Sequence, residues 1–158
     1  MSASHPIPLV VHEPRTYWAR QLRGRTASWP VRLHETRDLD DLLTAIRHEP
    51  IGVLLIDSGE DPDVALDHLA AAAAYLDFWL VLFVDSTPHA DRATLARAVG
   101  ATHVVVRPVP PPEVATLLSR WVQLALNRRA RAGWIGDTDP DPDAWITELV
   151  PALRESAS

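Results

Sequence analysis

Four stretches of this chain are short, apolar and β-branched, and hardly interrupted by polar residues: 8–11, 51–56, 78–84 and 103–106. Continuous apolarity over so few residues is the pattern of strands covered on both faces, as in a parallel sheet; a strand with one wet face alternates instead. A fifth stretch, 29–33, is weaker. Its Val31 and Leu33 flank Arg32, as expected of an edge strand.

Helical spacing fills the intervals. Residues 15–23 place Trp18, Ala19 and Leu22 on one face, and 39–47 do the same with Leu39, Leu42, Leu43 and Ile46 behind Asp38 as N-cap. Residues 63–76 are alanine-rich and suit close packing on a sheet, and 90–99 stop at Gly100. The longest helix spans 112–131 and carries Val114, Leu117, Leu118, Trp121, Val122, Leu124 and Ala125. Strands alternating with helices imply right-handed βαβ units and a parallel sheet. The expected class is α/β, a doubly wound five-stranded parallel sheet of order 2-1-3-4-5, flavodoxin-like. That order puts the first strand in the centre and the weak second strand at an edge. No GxGxxG follows the first strand, which argues against a Rossmann domain.

Length and charge exclude several functions. At 158 residues the chain holds one domain that needs no staples, and it has no cysteine. A thiolate metal site, a disulfide framework and a Cys nucleophile are therefore absent. A net charge of −6 argues against a nucleic-acid partner. The one basic cluster, Arg128, Arg129 and Arg131, sits where a helix end welcomes cations. The opening MSASHPIPLVV has neither the basic start nor the apolar run of a signal peptide, and no stretch is long enough to span a bilayer. The expected setting is the cytoplasm, with no membrane partner.

In open α/β sheets ligands bind beyond the carboxyl ends of the strands, near the switch in strand order. His12, Glu13 and Pro14 follow the first strand, Asp57, Ser58 and Gly59 the third, Asp85, Ser86 and Thr87 the fourth, and Arg107 and Pro108 the fifth. One crevice should collect three carboxylates, a histidine and an arginine.

On these residues the chain resembles the response-regulator receiver family, over roughly residues 8–129. IGVLLIDSG is similar to that family's third strand ending in the phosphoacceptor, here Asp57; GATHVVVRP is similar to its Gly-Ala lead into a fifth strand ending in Lys-Pro; LVVHEP stands where its first strand and acidic pair stand. The resemblance implies a non-enzymatic signalling domain that holds Mg²⁺ and switches on phosphorylation. It also implies a contact surface formed by the fourth helix, fifth strand and fifth helix.

The departures point elsewhere. The acidic pair is His12 and Glu13; Glu13 still offers a hard oxygen, but His12 suits Mg²⁺ poorly. Asp85 takes the place of the family's Thr or Ser, with Ser86 next, and would repel a phosphoryl dianion. Arg107 replaces the Lys with a planar fork, and Val104 stands at the switch aromatic. Arg107-Pro108 keeps the position whose peptide bond is typically cis in the family. The expectation is a pseudo-receiver: a signalling or scaffolding module in which Arg107 bridges Asp57 and Asp85 permanently. The alternatives are a divergent phosphoreceiver with Mg²⁺ on Glu13 and Asp57, or a small ligand-binding or enzymatic flavodoxin-like protein.

Other constellations are weaker. His12 with Glu13, Asp57 and Asp85 offers mixed nitrogen and oxygen donors to a transition metal. His34, His48, His68, His89 and His103 are scattered and read as surface or cap residues. No GxSxG, HExxH or P-loop occurs, and the first loop, HEPRTYW, lacks the Ser, Thr and Gly that cradle a flavin phosphate. The expected division is a receiver-like domain over 1–132 and a tail over 133–158. The tail has an acidic, proline-rich linker with Asp137, Asp139, Asp141 and Asp143. A short amphipathic helix follows, in which Trp145, Leu149 and Leu153 form a docking stripe toward the chain itself, a second copy or a partner. No output domain is expected in the residues that follow the receiver-like unit.

Overall fold

The computed structural model describes residues 5–133; the statements below concern these residues. The expected linker and the docking stripe of Trp145, Leu149 and Leu153 lie outside them. The elements alternate from β1 (Ile7–His12) and α1 (Trp18–Arg25) through β2 (Val31–Thr36), α2 (Leu39–Ile46), β3 (Val53–Asp57) and α3 (Pro62–Ala72). A 3₁₀ turn at Ala73–Tyr75 leads into β4 (Leu80–Asp85), α4 (Ala90–Ala98), β5 (His103–Val106) and α5 (Pro111–Arg131). All strand pairs are parallel, in the order β2-β1-β3-β4-β5. The class and order expected from the sequence are those observed.

Burial explains why the strands read as continuous apolar runs. Along β1, Leu9 and Val11 face α1 and α5, while Val10 faces α2 and α3; all three are fully buried. β3 repeats this with Val53 and Leu55 on one side and Leu54 and Ile56 on the other, and β4 with Leu82 and Val84 against Val81 and Phe83. Each such side chain contributes about 1.5–3 kcal/mol over leaving it in water. The helices supply Trp18, Leu22, Leu118 and Trp121 to the first layer, and Leu42, Ile46, Leu66 and Leu69 to the second. Asp38 caps α2 by accepting from the Asp41 amide at 2.9 Å, and Gly100, at φ 128°, turns the chain out of α4.

Several boundaries differ from expectation, each for a local reason. β2 runs to Thr36 rather than Leu33, because its polar half is carried by pairing with β1, from Ile7↔Val31 to His12↔Thr36. α1 starts at Trp18 rather than Arg15, since the carboxylate of Glu13 meets the Trp18 amide at 2.8 Å and sets the helix start. The helix expected to reach Leu76 gives way after Ala72 to the 3₁₀ turn. Trp79 precedes β4 instead of forming part of it, with its indole donating to the Glu49 carbonyl at 2.9 Å.

That indole bond also pins the ring over Gly52, where an added Cβ would sit 2.6 Å from its carbon atoms. Trp79 is buried and cannot swing clear. Gly52→Ala is expected to cost about 1–3 kcal/mol through overpacking, read as a lower urea midpoint with an unchanged slope.

Candidate functional site

The strand registers bring the site together. His12 lies opposite Ile56, Asp57 opposite Val84 and Asp85 opposite Val106, so the C-terminal ends of three neighbouring strands carry a histidine and two carboxylates in one row. His12, Glu13, Asp57 and Asp85 are all nearly fully buried. A cavity of about 660 Å³ opens beside the first three, walled by His12, Glu13, Asp57, Val64, His68 and Arg107 among others. It lies at the β1/β3 boundary, where strand order reverses.

Asp57 is the centre. Its Oδ2 accepts from the Trp18 indole Nε1 at 2.6 Å and from Arg107 Nε at 3.1 Å. Its Oδ1 accepts from the Gly59 amide at 2.7 Å and from Arg107 Nη2. An ionised carboxylate has about four lone-pair sites, and four N–H groups meet this one. Gly59 is held at φ +57°, and an added Cβ would sit 2.5 Å from the ring of Pro14, a place only glycine fills without strain.

Asp85 is held separately. Arg92, in the first turn of α4, donates from Nε to Oδ2 at 2.8 Å and from Nη2 to Oδ1 at 3.2 Å. The expected bridge from Arg107 to both carboxylates is therefore not formed: Arg107 forks onto Asp57, and Asp85 has a guanidinium of its own. The two halves join through the backbone, where the Arg107 amide donates to the Asp85 carbonyl at 2.8 Å. Ser86 lines the cavity, and its amide donates to Ser58 Oγ at 3.1 Å. Pro108 follows Arg107 through a cis peptide bond and borders a small cleft with Tyr17, Trp18 and Val109.

Glu13 and His12 are committed too. Glu13 Oε2 accepts from the Trp18 amide, while Oε1 is buried with no hydrogen-bond partner among the described residues. Burial raises the Glu13 pKa; the amides of Trp18, Tyr17 and Ala19 oppose the rise and the nearby Asp57 charge adds to it. His12 Nδ1 pairs with Thr36 Oγ1 at 2.8 Å and Nε2 with His68 Nδ1 at 2.9 Å. Burial above all lowers its pKa from 6.5 to about 4, with His68 lowering it further and Asp38 pulling the other way. His68, expected at the surface, is half-buried in the crevice wall instead; His89 does act as a cap, accepting from the Arg92 amide at 3.2 Å.

Trp18, Arg92 and His68 were not expected in the site, although each left a signal. A tryptophan on a buried helix face needs an acceptor for its indole N–H. An arginine in a first helical turn opposes the macrodipole and calls for a carboxylate. His68 shares a helical face with Ala65 and Ala72.

No family model and no curated protein matches this sequence. Solved structures do match. A CheY-like response-regulator receiver domain protein from Methanospirillum hungatei JF-1 superposes with TM-score 0.65 at 13% identity, over 78% of this chain and 98% of that one. A response regulator from Thermotoga maritima gives 0.63 at 11%, over 75% and 98%. A response regulator from Burkholderia pseudomallei, solved with a phosphorylated aspartic acid, calcium ion and citrate, gives 0.60 at 14%, over 94% and 74%. The fold is that of response-regulator receiver domains, the resemblance the strand-end residues suggested.

Two measurements probe the site. Arg107→Ala should cost about 1–3 kcal/mol. That is less than the 3–5 kcal/mol of a fully buried pair, because the Arg107 side chain is 39% exposed and Asp57 keeps two N–H donors. Urea melts measure it. His12 is neutral in the fold, so its contribution is present above pH 6.5 and lost as pH falls from 6.5 toward 4. A shift of this size corresponds to roughly 3 kcal/mol at about 1.4 kcal/mol per unit. Glu13 runs the opposite way, its contribution present at low pH and lost as pH rises through its raised value. His12→Gln should therefore lose much less stability than the parent chain between pH 7 and 4.5.

Proposed function

We propose that this chain is a pseudo-receiver: a non-enzymatic signalling or scaffolding module that acts through protein contacts, its phosphorylation crevice replaced by a permanent ion-pair network. The observation that carries the reading is the saturation of Asp57. An aspartate that attacks a phosphodonor must turn a free oxygen lone pair toward phosphorus, and here four N–H groups occupy those positions. A phosphoryl group and a cation, such as the Burkholderia regulator carries, would each have to displace the Arg107 fork. Asp85, at the neighbouring strand end and tied to Arg92, offers no hydroxyl to hold a phosphoryl group.

The donors fit Mg²⁺ poorly. A small hard cation needs several oxygens in octahedral array. Asp57 has none free, Glu13 keeps only Oε1, and His12 is held at both ring nitrogens. Among the described residues no three of His, Cys, Asp and Glu are placed to hold a metal ion. Arg107 supplies in place the positive charge that a cation would bring, without phosphorylation.

Contacts with a protein partner or a second copy would use the face of α4, β5 and α5, where Leu95 and Leu124 are exposed, or the tail after residue 132. No described helix is long and apolar enough to cross a membrane; a cytoplasmic setting accords with that.

The test is direct. After incubation with acetyl phosphate and Mg²⁺, intact-mass spectrometry should find Asp57 unmodified, and calorimetry should find no Mg²⁺ binding at millimolar concentration. Near-stoichiometric phosphorylation of Asp57 would overturn the reading in favour of a divergent phosphoreceiver.

A further inference from the structure

The cavity beside the crevice has apolar walls that the ion pairs do not use. Five large hydrophobic side chains are exposed among the described residues, and two of them, Tyr17 at 44% and Val64 at 45%, line this one cavity. Tyr17 comes from the loop before α1 and Val64 from the first turn of α3. The Tyr17 ring stands edge-on to buried Trp18, with centroids 5.0 Å apart and planes at 83°, an arrangement aromatic pairs prefer. At about 660 Å³ the space falls within the range of small-molecule sites.

Charge selects what the cavity can hold. Each charged residue lining it already has a partner within the protein. Arg107 holds Asp57, and Arg15 meets Glu60 at 2.7 Å. Arg37 meets Glu35 at 3.4 Å, Asp61 caps α3 at the Val64 amide, and Glu13 accepts from the Trp18 amide. His12 and His68 bond to each other. A charged ligand has to break one of these pairs and leave its partner alone, which costs more than the new contact returns. An uncharged ligand leaves them intact. One donor remains in the wall: Arg107 uses Nε and Nη2 on Asp57, and its Nη1 makes no hydrogen bond among the described residues. A guanidinium only donates, so its complement is an acceptor oxygen.

We propose that this cavity binds an uncharged aromatic molecule bearing a carbonyl oxygen, with its rings against Tyr17 and Val64 and its oxygen toward Arg107. The bound molecule joins the loop before α1 to the first turn of α3. This names an input for the pseudo-receiver and rests on that reading, since an Asp57 free of Arg107 would draw cations and phosphoryl groups to the same space.

The probe is coumarin, an uncharged two-ring lactone, titrated into the full isotope-labelled chain and followed by NMR. Saturable shifts should centre on Tyr17, Trp18 and residues 64–68, and nuclear Overhauser contacts should join coumarin protons to the Val64 methyls. Coumarin carboxylate, the same ring body with a negative charge, should bind at least about tenfold more weakly. Val64→Asp puts a carboxylate at an exposed first-turn position, where the helix welcomes it, and should weaken coumarin binding by about tenfold or more. Tyr17→Ala removes the exposed ring and should also lose about tenfold; it serves should Val64→Asp fail to fold. Equal binding of the two coumarins, undiminished affinity in either folded variant, shifts centred on exposed Leu95 or Leu124, or no saturable shift up to the solubility of coumarin would overturn the proposal. The titration uses no phosphodonor. Absence of coumarin binding with Asp57 unmodified by acetyl phosphate removes this inference alone, whereas modification of Asp57 removes the reading beneath it.

Discussion

A buried carboxylate at the end of a central strand must be neutralised or given enough donors to replace water, and in this protein the arrangement follows from how Asp57 meets that demand. It sits 2% exposed between β1 and β4. Leaving such a charge unpaired would cost several kcal/mol. Four N–H groups from three directions meet it: an indole from α1, a loop amide and the fork of Arg107. The side chain of Arg107 is thereby spent on Asp57, and Asp85, one strand over, needs a cation of its own. Arg92 provides it from α4.

This division into two dedicated pairs has a functional consequence. A group that switches state must have a free coordination position or a partner it can exchange. Asp57, Asp85 and His12 each have their polar atoms engaged within the protein, and only Glu13 Oε1 stands without a partner among the described residues. Under the proposed function, the network would serve a fixed geometry in place of a cycle of modification and release.

Much of the fold was legible in the chain. Runs such as Val53–Ile56 are apolar at every position because both faces of β3 are covered, and that requires a parallel sheet with helices on each side. The edge position of β2 was visible in Arg32 and the polar residues around it, since only an edge strand tolerates them. The strand-end residues His12, Asp57, Asp85 and Arg107 could be named because strand ends are short-range features. Element boundaries were harder. β2 extends to Thr36 through hydrogen bonds to β1, and α1 begins at Trp18 through a bond to Glu13; neither contact is local to the segment it shapes.

The sequence by itself determined the α/β class, the strand order and the row of ionisable groups at one end of the sheet, because alternating apolar runs and helical spacing encode burial directly. Only the tertiary structure decided who pairs with whom. The sequence put Arg107 at a strand end near two carboxylates and gave Arg92 no place in the site, and the choice between one bridging arginine and two separate pairs depends on ångström-scale placement of β5 and α4 relative to β3 and β4. The bonds Trp18–Asp57 and His12–His68 join residues 39 and 56 positions apart. No spacing rule reaches across such separations, since the geometry that closes them exists only once both faces of the sheet are packed.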